Sequence, residues 1–100
     1  MDECMDVLWS EDSLQDRFEI YNSLVDWSSF VVADRTDEEI KKHVSYLSRL
    51  PEMGKKAEKR KGRLLYLSKI PYIISYEFFR DKNEIKILRI LSSKTSKRCM

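Results

Sequence analysis

Apolar and polar positions alternate in short runs over the second half of the chain, and three strands are predicted in succession over 63–68, 72–79 and 85–91. Aromatic and β-branched residues dominate these runs, as a pleated and mostly buried surface requires. The polar tetrad Arg80-Asp81-Lys82-Asn83 is a turn between the last two. A meander of this kind needs a cover for its apolar face, and the first half of the chain reads as helical.

Val7-Leu8-Trp9 is a short apolar run suited to an opening strand. Ser10 is placed as a helix N-cap, with Trp9 and Leu14 at the two positions of a hydrophobic staple and Glu11 and Asp12 in the first turn. Leu14, Phe18, Tyr21 and Val25 recur at helical spacing, which predicts a core-facing stripe. Residues 27–35 fit either a continuation of this helix or an apolar loop. Thr36, with Glu39 three residues on, reads as the capping box of a second helix. Ile40, Val44, Leu47 and Leu50 form its stripe, and Pro51 ends it. His43 lies beside that stripe with no second ligand in reach. Both stripes and the meander together predict an α+β fold, with the helices on one face of an antiparallel sheet and Leu47 and Tyr76 buried.

A hydrophobic fraction of 42% with only two Gly and two Pro fits a single folded domain over 1–100. No apolar run reaches the roughly 18–20 residues of a membrane span. The N-terminus is acidic where a signal peptide needs positive charge, so a cytoplasmic protein is expected. One histidine, and two cysteines at opposite ends of the chain (Cys4 and Cys99), give no metal cluster of the usual spacing. Neither cofactor nor metal is expected.

Charge alters this picture more than composition does. Residues 1–50 carry five Lys or Arg against twelve Asp or Glu, a net −7; residues 51–100 carry fourteen against five, a net +9. Such segregation implies a basic face suited to a polyanion or an acidic partner, or else two surfaces that neutralise each other in the fold. Positions 55–62 hold six charged side chains, five of them cationic, and read as a loop. Residues 94–100 read as a mobile basic tail.

In this order of elements the chain resembles the RelE/ParE superfamily of toxins from bacterial type II toxin–antitoxin pairs. Val7 to Ser10 with Leu14, Asp16, Glu19 and Ile20 resemble the family's first strand and helix. Leu50-Pro51-Glu52-Met53-Gly54 resembles its helix end with a Pro-x-x-Gly break. Arg63, Pro71 to Tyr76 and Ile85 to Leu91 resemble its closing strands. The helix-end motif and the Tyr-Ile-Ile-x-Tyr strand place the chain nearer the ParE-like members. The resemblance implies one short N-terminal strand, then two helices packed on one face of an antiparallel sheet completed by a three-stranded C-terminal meander. It implies a cognate antitoxin partner, forming a toxin–antitoxin hetero-oligomer, and no membrane association. Many members carry a histidine just past the last strand, where this chain has Ser92-Ser93.

The resemblance implies the first two of three functions to be weighed on these residues, a ParE-like and a RelE-like one. In the first, a ParE-like toxin binds DNA gyrase through Arg63, Arg89, Lys94, Lys97 and Arg98, unless Arg63 and Arg89 instead pair with helix carboxylates such as Asp16 or Glu19. In the second, a RelE-like enzyme cleaves mRNA at the ribosome. Arg63, Arg89 and Lys94 then stabilise the phosphorane, one of Tyr66, Tyr72 or Tyr76 donates a proton, and Glu77 accepts one. Strand alternation sets Tyr72, Ile74 and Tyr76 on one face and Ile73, Ser75 and Glu77 on the other, which separates Tyr76 from Glu77. In the third, a non-toxic adaptor grips nucleic-acid phosphates through the loop 55–61.

Overall fold

The computed structural model describes residues 4–93. Strand β4 (Tyr72–Phe79) is the centre of a five-stranded sheet. It pairs antiparallel with β3 (Arg63–Tyr66) on one side and β5 (Glu84–Ser92) on the other. The edges are β1 (Asp6–Trp9), which runs parallel to β5, and the two-residue β2 (Lys55–Lys56), antiparallel to β3. The sheet is therefore mixed. Its order is β1-β5-β4-β3-β2. The expected turn is a single 3-10 turn, Arg80–Lys82, closed by Asn83 in the left-handed region with φ 55°.

Helices α1 (Glu11–Trp27) and α2 (Phe30–Arg49) form an antiparallel-type hairpin packed on the sheet. Ile40, Val44 and Leu47 of α2 meet Ile74 and Tyr76 of β4 and Ile85, Ile87 and Ile90 of β5. Leu47 and Tyr76 are both fully buried. Each such aliphatic side chain contributes about 1.5–3 kcal/mol when removed from water.

The inward set on β5 steps from Ile87 to Ile90, three residues rather than two, because Leu88 has no opposite residue on β4. A bulge of this kind shifts the alternation by one. Strict alternation would have sent Arg89 to the face of Ile85 and Ile87.

Three local expectations are corrected. The second helix begins at Phe30, capped by the Ser29 hydroxyl, which accepts from Val32 N–H at 3.2 Å. Thr36 is buried inside that helix, so its spacing to Glu39 reflects one interior turn and not a capping box. Leu14 and Phe18 are 47% and 62% exposed, and Leu50 is 61% exposed. The side of α1 that faces the molecule instead runs through Ser13, Asp16, Arg17 and Ile20.

Polar bonds hold that side. Arg17 donates twice to Asp37 of α2, each at 2.9 Å, and its guanidinium lies 4.6 Å from the Trp9 ring. The Tyr21 hydroxyl donates to Asp34 at 2.7 Å. Ser10 caps α1 as expected, accepting from Ser13 N–H at 3.0 Å, but Leu14 does not complete a buried staple.

Candidate functional site

Where β1 stops, α1 takes over the open edge of β5. Ser10 N–H donates to the Ile87 carbonyl at 3.0 Å, and the Ser10 hydroxyl donates to the Leu88 carbonyl at 2.8 Å. Further along α1, the Asp16 carboxylate accepts from Ile90 N–H at 2.9 Å. Arg89 completes the cluster with two bonds to Asp16, at 2.8 and 2.9 Å. Partial burial pushes the Asp16 carboxyl up. The Arg89 hydrogen bonds, the Ile90 N–H and the Arg89 charge outweigh it and hold the group below its ordinary value. Arg89 is thus committed to a helix carboxylate.

Arg63 is committed on the other side of β4. Its guanidinium donates to the Gly54 carbonyl at 2.7 Å and faces the Phe78 ring at 5.7 Å. Beneath it, the Tyr76 hydroxyl donates to the Pro51 carbonyl at 2.6 Å and accepts from Gly54 N–H at 2.9 Å. Burial raises the Tyr76 hydroxyl above its ordinary value against the pull of the Gly54 N–H and of Arg63, so it stays protonated, as a donor to a carbonyl must. A Cβ on Gly54 would stand 2.7 Å from that hydroxyl, which explains a glycine there. The Arg80–Glu52 ion pair ties the same turn to the end of β4. Pro51 to Gly54, read from sequence as a helix break, is a turn clamped onto the sheet.

The clamp sets the position of β2 and the loop after it. Lys55 stands opposite Leu64, and Lys56 opposite Arg63. The loop returns through Gly62, whose φ of 85° suits glycine and whose carbonyl accepts from Ala57 N–H at 3.0 Å. Among the described residues, Lys55, Lys56, Lys59, Arg60 and Lys61 have no carboxylate partner, whereas Arg17, Arg80 and Arg89 all do. Two open clefts flank this hairpin. One, of about 440 Å³, runs from Lys56 and Arg60 past Arg63 to Glu77 and Phe79. The other, of about 330 Å³, lies between Lys55, Lys59 and Arg60 and the ring of Tyr66.

The structure therefore separates the residues singled out by sequence. Arg63 and Arg89 lie on strands either side of β4, each tied to protein groups. Tyr76 is enclosed, with Tyr72 facing the core beside it; Tyr66 is 57% exposed, and Glu77 lines the larger cleft. Lys94, Lys97 and Arg98 lie outside the described residues. His43 sits on α2, its Nδ1 donating to the Glu39 carbonyl at 2.9 Å and its ring edge-on to Tyr46. The unpaired cations of the hairpin enter the sequence reading only as the phosphate-gripping loop 55–61 of the adaptor hypothesis, and stand outside its toxin and ribonuclease sites, although five positive charges fall within seven positions. No group of three or more His, Cys, Asp or Glu among the described residues is placed to hold a metal, and no helix among them is long and apolar enough to cross a membrane.

Comparison with known proteins gives a consistent result. The family model described as the ParE toxin of the type II toxin–antitoxin system parDE matches residues 7–96. A chain of the chromosomal ParDE TA system from P. aeruginosa superposes with a TM-score of 0.78 at 24% identity, covering 91% of this chain and 98% of the other. The isolated E. coli RelE toxin superposes with a TM-score of 0.67 at 15% identity, covering 93% and 88%. No curated protein matches the sequence.

Proposed function

The chain belongs to the ParE toxin family of type II toxin–antitoxin systems, and on that premise we propose that it arrests growth by binding DNA gyrase in the cytoplasm. Its partner is a cognate antitoxin. The acidic, amphipathic segment of such a partner, extended or helical, covers the basic half of the toxin over a large area.

One observation carries binding over cleavage: the donor and acceptor that an acid–base mechanism would use are not brought together, since Glu77 and the exposed Tyr66 line different clefts. The Tyr76 hydroxyl is buried between Pro51 and Gly54, and Arg63 and Arg89 hold a carbonyl and a carboxylate. Proton transfer to a leaving oxygen needs a donor within reach of substrate, and Tyr76 has no path to one. The unpaired cations lie instead on the hairpin 55–61, where electrostatic docking needs no proton chemistry. Lys94, Lys97 and Arg98 add to the same basic half in this reading.

Purified protein added to a gyrase supercoiling reaction tests the reading. Inhibition accompanied by trapped DNA breaks supports it. Intact supercoiling together with cleaved transcripts in cells expressing the protein overturns it in favour of a ribosome-dependent endoribonuclease.

A further inference from the structure

The second cleft joins the hairpin cations to an exposed aromatic ring, a feature that the proposed gyrase contact does not require. Its walls are Lys55, Lys56, Lys59 and Arg60 on one side and the exposed ring of Tyr66 on the other, with Leu64 between them. Leu64 pairs with Lys55 across the ladder and with Ser75 on β4, and Tyr66 pairs with Ile73. Lys55, Leu64 and Tyr66 therefore share the face of the sheet opposite to the one carrying Ile74 and Tyr76. Glu58 is the single carboxylate lining the cleft, against four cations. No described carboxylate pairs with any of those four.

We propose that this cleft binds a single-stranded polynucleotide, with Lys55, Lys56, Lys59 and Arg60 on successive phosphates and one base stacked on Tyr66. A basic groove that tracks the backbone beside an exposed aromatic face is the arrangement single strands need, because unpaired bases can turn their faces to a ring. A duplex offers phosphates but keeps its bases stacked inside, and so leaves Tyr66 without a partner. An acidic amphipathic segment would use the cations and any apolar side chain at position 66, and so makes no demand on an aromatic face. The Tyr76 clamp has a role here: by fixing Gly54 it sets where Lys55 and Lys56 enter β2. The inference does not depend on gyrase being the target.

The test is fluorescence anisotropy with labelled dT20, U20 and a 20-base-pair duplex, on the purified chain at several salt concentrations. About four neutralised phosphates on a single strand give a slope of log affinity against log salt near −3. The K55A/K56A/K59A/R60A variant should lose at least tenfold in affinity and most of that slope. Tyr66→Leu should weaken binding to single strands about tenfold and leave duplex binding unchanged. A preference between dT20 and U20 reflects the sugar and the thymine methyl together, and either result supports the site. Tighter binding to duplex, or single-strand affinity indifferent to Tyr66→Leu and to salt, overturns it. All five positions are exposed, so circular dichroism of the variants should match the parent. Gyrase inhibition, measured on the same variants, is a separate readout: its loss or retention bears on the target and not on this cleft.

Discussion

The hydroxyl of Tyr76, in the middle of the sheet, donates to the carbonyl of Pro51 at the end of α2 across 25 positions of sequence. With the bond it accepts from Gly54 N–H, this contact turns the end of a helix into the start of a sheet edge. Removing the hydroxyl leaves a buried carbonyl and a buried N–H unpaired. Tyr76→Phe should therefore lower stability by about 2–4 kcal/mol, measured by urea unfolding. Gly54→Ala should be at least as damaging, since its methyl would overlap the same hydroxyl and the Leu64 carbonyl. A Tyr76→Phe midpoint equal to that of the parent would show that the clamp is dispensable.

Acid should act through Asp16. Its folded-state pKa lies below the unfolded value, so the stability it contributes is complete above that ordinary value of 3.8 and disappears as the pH falls on through the folded value. Unfolding free energy should drop in this window, and Asp16→Asn should flatten that part of the profile while lowering stability at neutral pH. Arg89→Ala should cost about 1–2 kcal/mol at neutral pH, because it strands a largely enclosed carboxylate whose partner is itself partly solvated. A profile with the same acid slope in the parent and in Asp16→Asn would remove Asp16 from this role.

The sequence was most legible where apolar residues were continuous and least where polar residues turn inward. The run 72–79 is the observed β4 to the residue, and the third predicted strand differs from β5 by one residue at each end. Helix α1 was misread in its facing because Ser13, Asp16 and Arg17 look like a solvent side. Each has a partner, Ser10, Arg89 and Asp37 respectively, from which that side draws its inward orientation. Periodicity cannot see such partners, which lie up to 73 positions away. The bulge at Leu88 was invisible for a similar reason, since apolar residues stand on both faces of β5. At the candidate site, the identity of the cations was legible but their engagement was not. Arg63 and Arg89 look no different in sequence from Lys59 or Arg60, and only the fold shows which of them are already bound.

The exposure of α1 gives a direct check on its corrected orientation. Leu14→Ser and Phe18→Ser should each change stability by less than about 0.5 kcal/mol, since both side chains already stand largely in water. Ile20→Ser, on the side that meets the core, should cost distinctly more, and thermal unfolding of the three variants would compare them directly. If Phe18→Ser proves the most damaging of the three, α1 is rotated relative to the orientation described here.

Toxicity should follow the exposed cations rather than the histidine. His43 donates to its own helix backbone and packs against Tyr46, on an element that contributes nothing to the hairpin 55–61. His43→Ala should leave growth inhibition intact on induced expression. Changing Lys59, Arg60 and Lys61 together to Glu should abolish growth inhibition with little change in unfolding temperature, because none of the three has a protein partner to lose. Alanine at Arg63 or Arg89 would also reduce activity, but through lost stability, so those variants should unfold earlier as well as act less. Salt discriminates further: docking through exposed cations should weaken several-fold between about 50 and 200 mM, whereas a proton-transfer site would respond to pH instead. Loss of toxicity in His43→Ala, with the hairpin variant still toxic, would place the active surface on α2 and not on the basic edge of the sheet.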